Sequence, residues 1–361
     1  MLAVADVKTL WRRRPFEALA KYRSVVGFIP EDPVSFFFGD PSVDRVGVAG
    51  TLGLRRVLVP PGWASWSAWI GQRLLGRAIG STRELRGIVV TTPHYLPLLE
   101  ALGGALPEYY FCSDDYRSYQ GWDRGVMAKN EKEIVLRASH SFFVSQRLLD
   151  RACDEYGVAR DRASVVMNAT DPEFLVEAAP EELDGLRREF GIGSGPVAGV
   201  AGAVNSRLDF ELLLYLVESG AVGALVFAGT VDGGLQDWAF ERLRAHPLCV
   251  WTGTETRDRM RLWQQLFDVG LVPYRRVEFN QYCSPMRLFD HLAAGKPLVA
   301  TSACSQITDF TEFVVVADEA DAFTEAVRAA AETGRRSQQM VRFAAGHTWD
   351  ARALQIRDRI G

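Results

Sequence analysis

Several features are scarce or missing in this chain, and each absence removes a class of protein. Cysteine is rare, with five in 361 residues, at positions 112, 153, 249, 283 and 304. They are scattered, odd in number and never spaced as C-x-x-C. That excludes a disulfide framework and a cysteine zinc site, and fits free thiols in a reducing cytoplasm. No apolar run reaches the roughly 18 residues that a membrane-crossing helix needs. There is no basic surplus: the formal net charge is −4, which argues against a general nucleic-acid binder. The first apolar run precedes the basic residues instead of following them, so a secretory leader is not expected. Internal repeats and low-complexity segments are also lacking. What is present is 48% hydrophobic and 24% charged residues, enough for two ordinary globular cores.

Short apolar runs alternate with helical patterns along the whole chain. MLAVADV, RSVVGFI, RRVLV, GIVVTT, EYYFC, SHSFFVS and ASVVMN read as seven strands. ASWSAWIGQRLLGRAIG, between the third and fourth, reads as an amphipathic helix with Trp69, Leu74 and Ile79 apolar. The alternation restarts with PVAGVA, ALVFAGTV, LCVWTGT, DVGLVPY, PLVATS and FVVVAD. This pattern predicts α/β architecture with two doubly wound, Rossmann-like parallel sheets. The acidic, Pro-containing run from Asn168 to Pro180 is the expected hinge.

The most informative stretch is SPMRLFDHLAAGKPLVATS, Ser284 to Ser302. Ser284 is placed to cap a helix, with Pro285 at the first helical position, where its missing N–H costs nothing. Leu288, Phe289, Leu292 and Ala293 form one apolar stripe. Gly295 supplies a left-handed C-terminal cap, and Pro297 stops the helix. The helix start presents the N–H groups of Met286 and Arg287 and about +0.5 of charge, which suits a phosphate. Asp290 lies one turn on, within range of a sugar hydroxyl beside it.

This stretch resembles the donor-binding motif of family-4-like glycosyltransferases of the GT-B fold, above all in HLAAGKPLVAT after an acidic residue. The run SFFVSQRLLDRACDEYGVARDRASVVMNATDPEF resembles the same family's hinge, with Ala169 and Thr170 in place of its Gly-Val. HTWDARALQIRDRI resembles its C-terminal crossing helix. The resemblance implies two domains facing a cleft. Residues 1–175 would bind the acceptor, with 345–361 as a helix crossing back to them, and 176–344 would bind the nucleotide-sugar donor.

In open α/β sheets the informative residues follow the carboxyl ends of the strands. In the second half these are Gly202, Asn205 and Arg207; Gly229 and Thr230; Gly253 and Thr254; Tyr274; and Ser284, Pro285, Met286, Arg287 and Asp290. Arg207, Arg287 and the helix start are candidates for a diphosphate. The resemblance assigns Asp290 to the ribose and Thr252–Thr254 to the base. Two departures stand out. The family's acid eight positions upstream is Tyr282 here, and Asp290 is one methylene shorter than the usual Glu. Glu278, Asn280 and Gln281 are alternatives for the donor sugar.

In the first half, CSDDY follows the fifth strand. An acceptor hydroxyl must lose its proton as the new bond forms, so Asp114 or Asp115 is a candidate general base, with His94 after the fourth strand as the alternative. Mutual repulsion of the two carboxylates would raise one of them. The competing assignment for the pair is a helix cap, and for His94 a structural histidine. A carboxylate base and the missing upstream acid at Tyr282 suit inverting transfer. Asp-x-Asp does not occur, so a metal-bridged diphosphate of the kind used by the other large glycosyltransferase fold is not expected, and neither is any other cofactor.

The run KTLWRRRPFEALAKYR interleaves basic residues with Trp11, Phe16 and Leu19. It fits either contact with an anionic membrane surface or a helix packed on the first sheet. The family's W-x-x-R-P segment supports the packed helix. The expected activity is transfer of a sugar from a nucleotide diphosphate to a hydroxyl or amine of a glycan, lipid-linked or natural-product acceptor, in the cytoplasm or at the inner face of its membrane. The alternatives are a same-fold nucleotide-sugar epimerase or hydrolase, or a non-catalytic nucleotide-sugar-binding subunit.

Overall fold

The computed structural model describes residues 1–38, 50–64, 67–82, 84–333 and 336–360. The thirteen strands read from the sequence are all present. The first sheet consists of β1 (Leu2–Ala5), β2 (Val25–Glu31), β3 (Gly53–Leu58), β4 (Gly87–Val90), β5 (Glu108–Cys112), β6 (His140–Phe143) and β7 (Ala163–Val165). Its order is β3-β2-β1-β4-β5-β6-β7, every pairing parallel. The second consists of β8 (Val197–Ala201), β9 (Ala224–Ala228), β10 (Cys249–Gly253), β11 (Val269–Val272), β12 (Leu298–Ala300) and β13 (Val314–Val316), in the order β10-β9-β8-β11-β12-β13. These are doubly wound sheets. The strand order reverses between β1 and β4 in the first and between β8 and β11 in the second, and ligands bind beyond such switch points. Both centres are buried on both faces, which is why β1 (LAVA) and β8 (VAGVA) are continuously apolar.

The chain divides into two compact units, Met1–Asn168 with Trp349–Gly361, and Ala169–Thr348. The first boundary falls earlier than the expected Leu175. Thr170 N–H donates to the His347 carbonyl at 3.1 Å, and Arg336 donates to the Leu175 carbonyl at 2.6 Å, so the hinge residues pack with the second unit. The last helix, Trp349–Arg357, packs on helix Leu10–Leu19 within the first unit, where Lys21 pairs with Asp350 at 2.7 Å. The preceding helix, Gln338–Ala345, packs instead on helix Met286–Ala294 of the second unit.

Helix Leu10–Leu19 buries Arg12, Pro15, Phe16, Ala18 and Leu19. One face of the N-terminal basic run is therefore packed as a helix. Helix Ala68–Gly80 corrects another expectation. Ile79 is buried, but Trp69 and Leu74 are exposed, and the inward face is Gly71, Gln72, Leu75, Gly76 and Ile79. Small residues on that face allow close packing: a Cβ on Gly71 would stand 2.5 Å from the Cβ of Trp63. The beginning of the expected helix, at Ser65 and Trp66, lies outside the described residues.

Candidate functional site

The second unit's candidate site lies at the carboxyl ends of β8 to β11. Helix Met286–Ala294 forms as expected, with Leu288, Phe289, Leu292 and Ala293 buried and Gly295 capping it at φ +70°. Burying a large apolar side chain of this kind is worth about 1.5–3 kcal/mol. Its start differs from expectation. Pro285, at φ −74° and ψ 113°, takes the cap position itself, and Ser284 donates its hydroxyl to Gln306 Oε1 at 2.6 Å. Ser284 is thus a buried tether under the helix start.

Tyr274 is buried close to two guanidinium groups, one of them from this helix start. Arg207 lies 5.0 Å and Arg287 5.3 Å from its ring centre. Arg207 also lies 4.3 Å from the Phe279 ring. Burial raises the Tyr274 phenol's pKa, and the two arginines oppose that rise. Arg207 Nε donates to Asn280 Oδ1 at 2.8 Å. The Asn280 amide in turn donates to the carbonyls of Arg275 at 2.8 Å and Arg207 at 3.1 Å. Asn280, a sequence candidate for the donor sugar, is fully buried and positions Arg207 instead. Asn205 Oδ1 accepts the backbone N–H of Arg207 at 3.1 Å and so shapes the loop that carries it. Arg287 Nη2 donates to the Ala203 carbonyl at 2.9 Å, while its Nη1 is buried with no hydrogen-bond partner among the described residues. A buried cationic donor without an acceptor is costly unless an anion completes it.

The glycines flanking this site set its shape. Gly229 adopts φ +150°, and a Cβ there would stand 2.2 Å from the Gly202 carbonyl oxygen, so only glycine lets the ends of β8 and β9 close together. Gly253, at the end of β10, bridges to Gly229, and beside them the hydroxyls of Thr230 and Thr254 meet at 2.9 Å. Thr252 donates to the Gly253 carbonyl at 3.1 Å. One turn beyond Arg287, Asp290 accepts the Thr170 hydroxyl on Oδ1 at 2.7 Å. The Thr170 hydroxyl is thus a partner of this carboxylate.

The first unit's candidate site lies at the switch point between β1 and β4. Asp6 follows β1 with φ +63°, a left-handed conformation uncommon outside glycine and often found at functional positions. Its Oδ2 accepts from the buried Arg12 at 2.8 Å. His94 follows β4 and stands edge-on to Trp122 at 4.1 Å. Its imidazole pKa is pushed down to about 4, first by burial and then by the Arg12 charge, against a smaller opposing effect of Asp6. His94 is therefore neutral at pH 7. Asp114, half-buried after β5, accepts on Oδ2 from the Tyr119 hydroxyl at 2.8 Å. Tyr119 packs on Trp122 at 4.8 Å, so one aromatic cluster lies between His94 and Asp114.

Asp115 does not join them. It is fully buried, ion-paired with Arg151 at 2.8 Å, and accepts from the Ser118 hydroxyl on its other oxygen. Arg151 also lies 3.7 Å from Glu131, which accepts from Tyr110 at 2.8 Å and Tyr156 at 3.1 Å. With both oxygens occupied and solvent excluded, Asp115 is a structural carboxylate. Asp6 and Arg12 were missed in the sequence although ADV, ending the first strand, meets the same strand-end criterion that singled out His94 and Asp114. Among the described residues, no three His, Cys, Asp or Glu side chains are grouped to hold a metal ion, and no helix is long and apolar enough to cross a membrane.

Comparison with known proteins adds three observations. Residues 242–358, which include the Arg287 helix, match the family described as glycosyl transferase-like. Over 216 residues the chain is 27% identical to a Bacillus subtilis (strain 168) protein whose name gives teichuronic acid biosynthesis glycosyltransferase TuaH as a provisional assignment. The match covers 57% of this chain and 53% of that protein, so the chain spans about half the length of this curated relative. Solved structures resemble it along its whole length. HepE of Anabaena, in complex with UDP and glucose, gives a TM-score of 0.74 at 15% identity, covering 99% of this chain and 98% of that one. Sucrose-phosphate synthase of Thermosynechococcus elongatus gives 0.73 at 15% identity, covering 99% and 97%. A glycosyltransferase of Rickettsia africae gives 0.74 at 12% identity, covering 99% and 96%. The chain has the GT-B fold.

Proposed function

We propose that this protein is a glycosyltransferase that moves a sugar from a nucleoside diphosphate to an acceptor hydroxyl or amine. The observation that carries this is the pair of guanidinium groups flanking buried Tyr274, one with an unpartnered buried Nη1, over a helix start with Asp290 one turn away. Arg207, Arg287 and the Met286–Arg287 N–H groups would hold the two phosphates, stabilising the charge that grows on the leaving diphosphate as the glycosidic bond breaks. Asp290, oriented by Thr170, would bind the ribose. Gly253 and the threonines at 252 and 254 would lie along the base. The family match over 242–358 supports this assignment because it covers the Arg287 helix. The UDP complex of HepE makes uridine the first base to test.

In the first unit, Asp114 would take the acceptor proton while Tyr119 holds its second oxygen, and the aromatic cluster at Trp122 would support the acceptor. A glycan is the acceptor class that the name of the Bacillus relative favours. We place the protein in the cytoplasm, where free thiols at all five cysteines are at home. The test is a calorimetric panel of UDP, GDP and TDP followed by assay of nucleotide release from the matching nucleotide sugars, with and without glycan acceptors. A transferase releases nucleotide faster when acceptor is present. Release that ignores every acceptor supports a hydrolase instead, and binding without release a non-catalytic subunit.

A further inference from the structure

One edge of the first unit carries an unusual surface. Helix Ala68–Gly80 buries Gly71, Gln72, Leu75, Gly76 and Ile79, so its opposite face is Trp69, Ile70, Arg73, Leu74 and Arg77. That outer face combines large apolar side chains with arginine and contains no carboxylate. Trp69 is 62% exposed, and the Arg73 guanidinium lies 5.8 Å from its ring. Helix Pro33–Phe38, which follows the adjacent strand β2, buries none of its residues, and Val34, Phe37 and Phe38 are 70%, 68% and 87% exposed. It is held at the carboxyl end of edge strand β3 by Arg56, which donates to the Ser35 and Phe36 carbonyls. Leu58, the last residue of β3, is exposed at the same end.

We propose that this edge docks on an anionic lipid bilayer. Helix Ala68–Gly80 would lie in the headgroup plane, and Val34, Phe37 and Phe38 would enter the acyl boundary. Tryptophan and aliphatic side chains interleaved with arginine are what an interfacial helix needs: the apolar bodies leave water while the guanidinium groups remain at the phosphates. The overall charge of the chain is −4, so an acid-free face bearing Arg73 and Arg77 runs against its own bias. A second copy is a poorer occupant, because a two-fold contact would press one arginine-bearing, acid-free face against another. The basic helix Leu10–Leu19, being packed, has no part in this surface.

The test is co-sedimentation of the full chain with phosphatidylcholine vesicles, with and without phosphatidylglycerol, at low and high salt. The chain should pellet with phosphatidylglycerol vesicles and be released by salt. Replacing Arg73 and Arg77 with Gln should weaken partitioning by about fivefold for each arginine, the effect of one basic residue at an anionic surface. The double change Phe38→Ser with Trp69→Ser should abolish it. Both sets alter only outward-facing residues, so thermal midpoints should stay at the wild-type value. The proposal is overturned if wild type ignores phosphatidylglycerol vesicles, or if it binds both vesicle types equally and the arginine changes have no effect. It is also overturned if the chain instead self-associates in a manner abolished by the Phe38 and Trp69 changes.

Discussion

The Thr170 hydroxyl donates to Asp290 Oδ1 at 2.7 Å, joining the hinge to the helix that carries the proposed ribose carboxylate. Thr170 is fully buried and its own N–H is fixed to His347, so the hydroxyl has little freedom to point elsewhere. The hydroxyl and the carboxylate thus occur as partners. Asp290→Ala should weaken nucleoside diphosphate binding by about 1.5–3 kcal/mol, the worth of a hydrogen bond to a charged group. Thr170→Val should cost about 0.5–1.5 kcal/mol, since it removes the orienting bond but keeps the carboxylate. Calorimetry on both variants checks this; a Thr170→Val protein with wild-type affinity would show that the hydroxyl orients nothing.

Asn280 should act on the diphosphate only through Arg207. It touches Arg207 Nε at 2.8 Å and two loop carbonyls, and is itself fully buried. Asn280→Leu should lower stability by about 1–3 kcal/mol, because it leaves buried polar groups unpaired. It should also lower diphosphate affinity with little effect on the nucleoside alone. Loss of stability with an unchanged preference for the diphosphate would mean that Arg207 is not part of the phosphate site.

The adjacent acids should behave oppositely. Asp114→Asn should leave the fold intact and reduce transfer by about 10²–10⁴-fold, the range for a lost general base. Asp115→Asn should destabilise by about 3–5 kcal/mol, because Arg151 would remain buried without the carboxylate it is hydrogen-bonded to, with Glu131 3.7 Å away. Urea denaturation and single-turnover transfer separate the two effects. If His94→Ala abolishes transfer while Asp114→Asn turns over normally, the base is His94.

Acid should destabilise the protein through His94 and His291. Burial, then Arg12, holds His94 at about 4, while burial, then Arg287, holds His291 at about 3. Both lie below the unfolded value of about 6.5, so between these values the unfolded chain binds more protons. Stability is fully present above about pH 6.5 and should fall as pH drops through 6.5 toward the folded values, by about 1.4 kcal/mol per pH unit for each fully titrating group. Among the described residues neither ring nitrogen of His291 has a hydrogen-bond partner, so His291→Phe removes a titration without breaking a bond. Its denaturation midpoint should depend less steeply on pH than wild type between pH 6.5 and 4; an equal slope would exclude His291 as a source of the acid sensitivity.

What could be read in the sequence and what could not divides along one physical line. Strand alternation, the stripe on helix Met286–Ala294 and the Gly295 cap are local properties, and they appear as expected. Ser284 also looks like a local cap, but its hydroxyl is claimed by Gln306, 22 residues away. Asp114 and Asp115 are indistinguishable in sequence; the difference comes from Arg151, 36 residues beyond Asp115. In helix Ala68–Gly80 the largest apolar residues point outward because the inner face needs small ones for close packing. That inversion hid both the true core face and the exposed surface. The role of Thr170 depends on a partner 120 residues later, which no local pattern predicts.

The most direct test of the donor site is a calorimetric titration of wild type and Arg287→Gln with UDP and with uridine. Arg287 Nη1 is buried with no hydrogen-bond partner among the described residues, and the residue stands at the helix start beside Tyr274. Wild type should bind UDP well above uridine, and Arg287→Gln should remove about 1.5–3 kcal/mol from UDP while leaving uridine nearly unchanged. Equal loss for UDP and uridine, or a wild-type protein that prefers neither UDP nor any other nucleoside diphosphate to its nucleoside, would contradict a diphosphate site at Arg207 and Arg287.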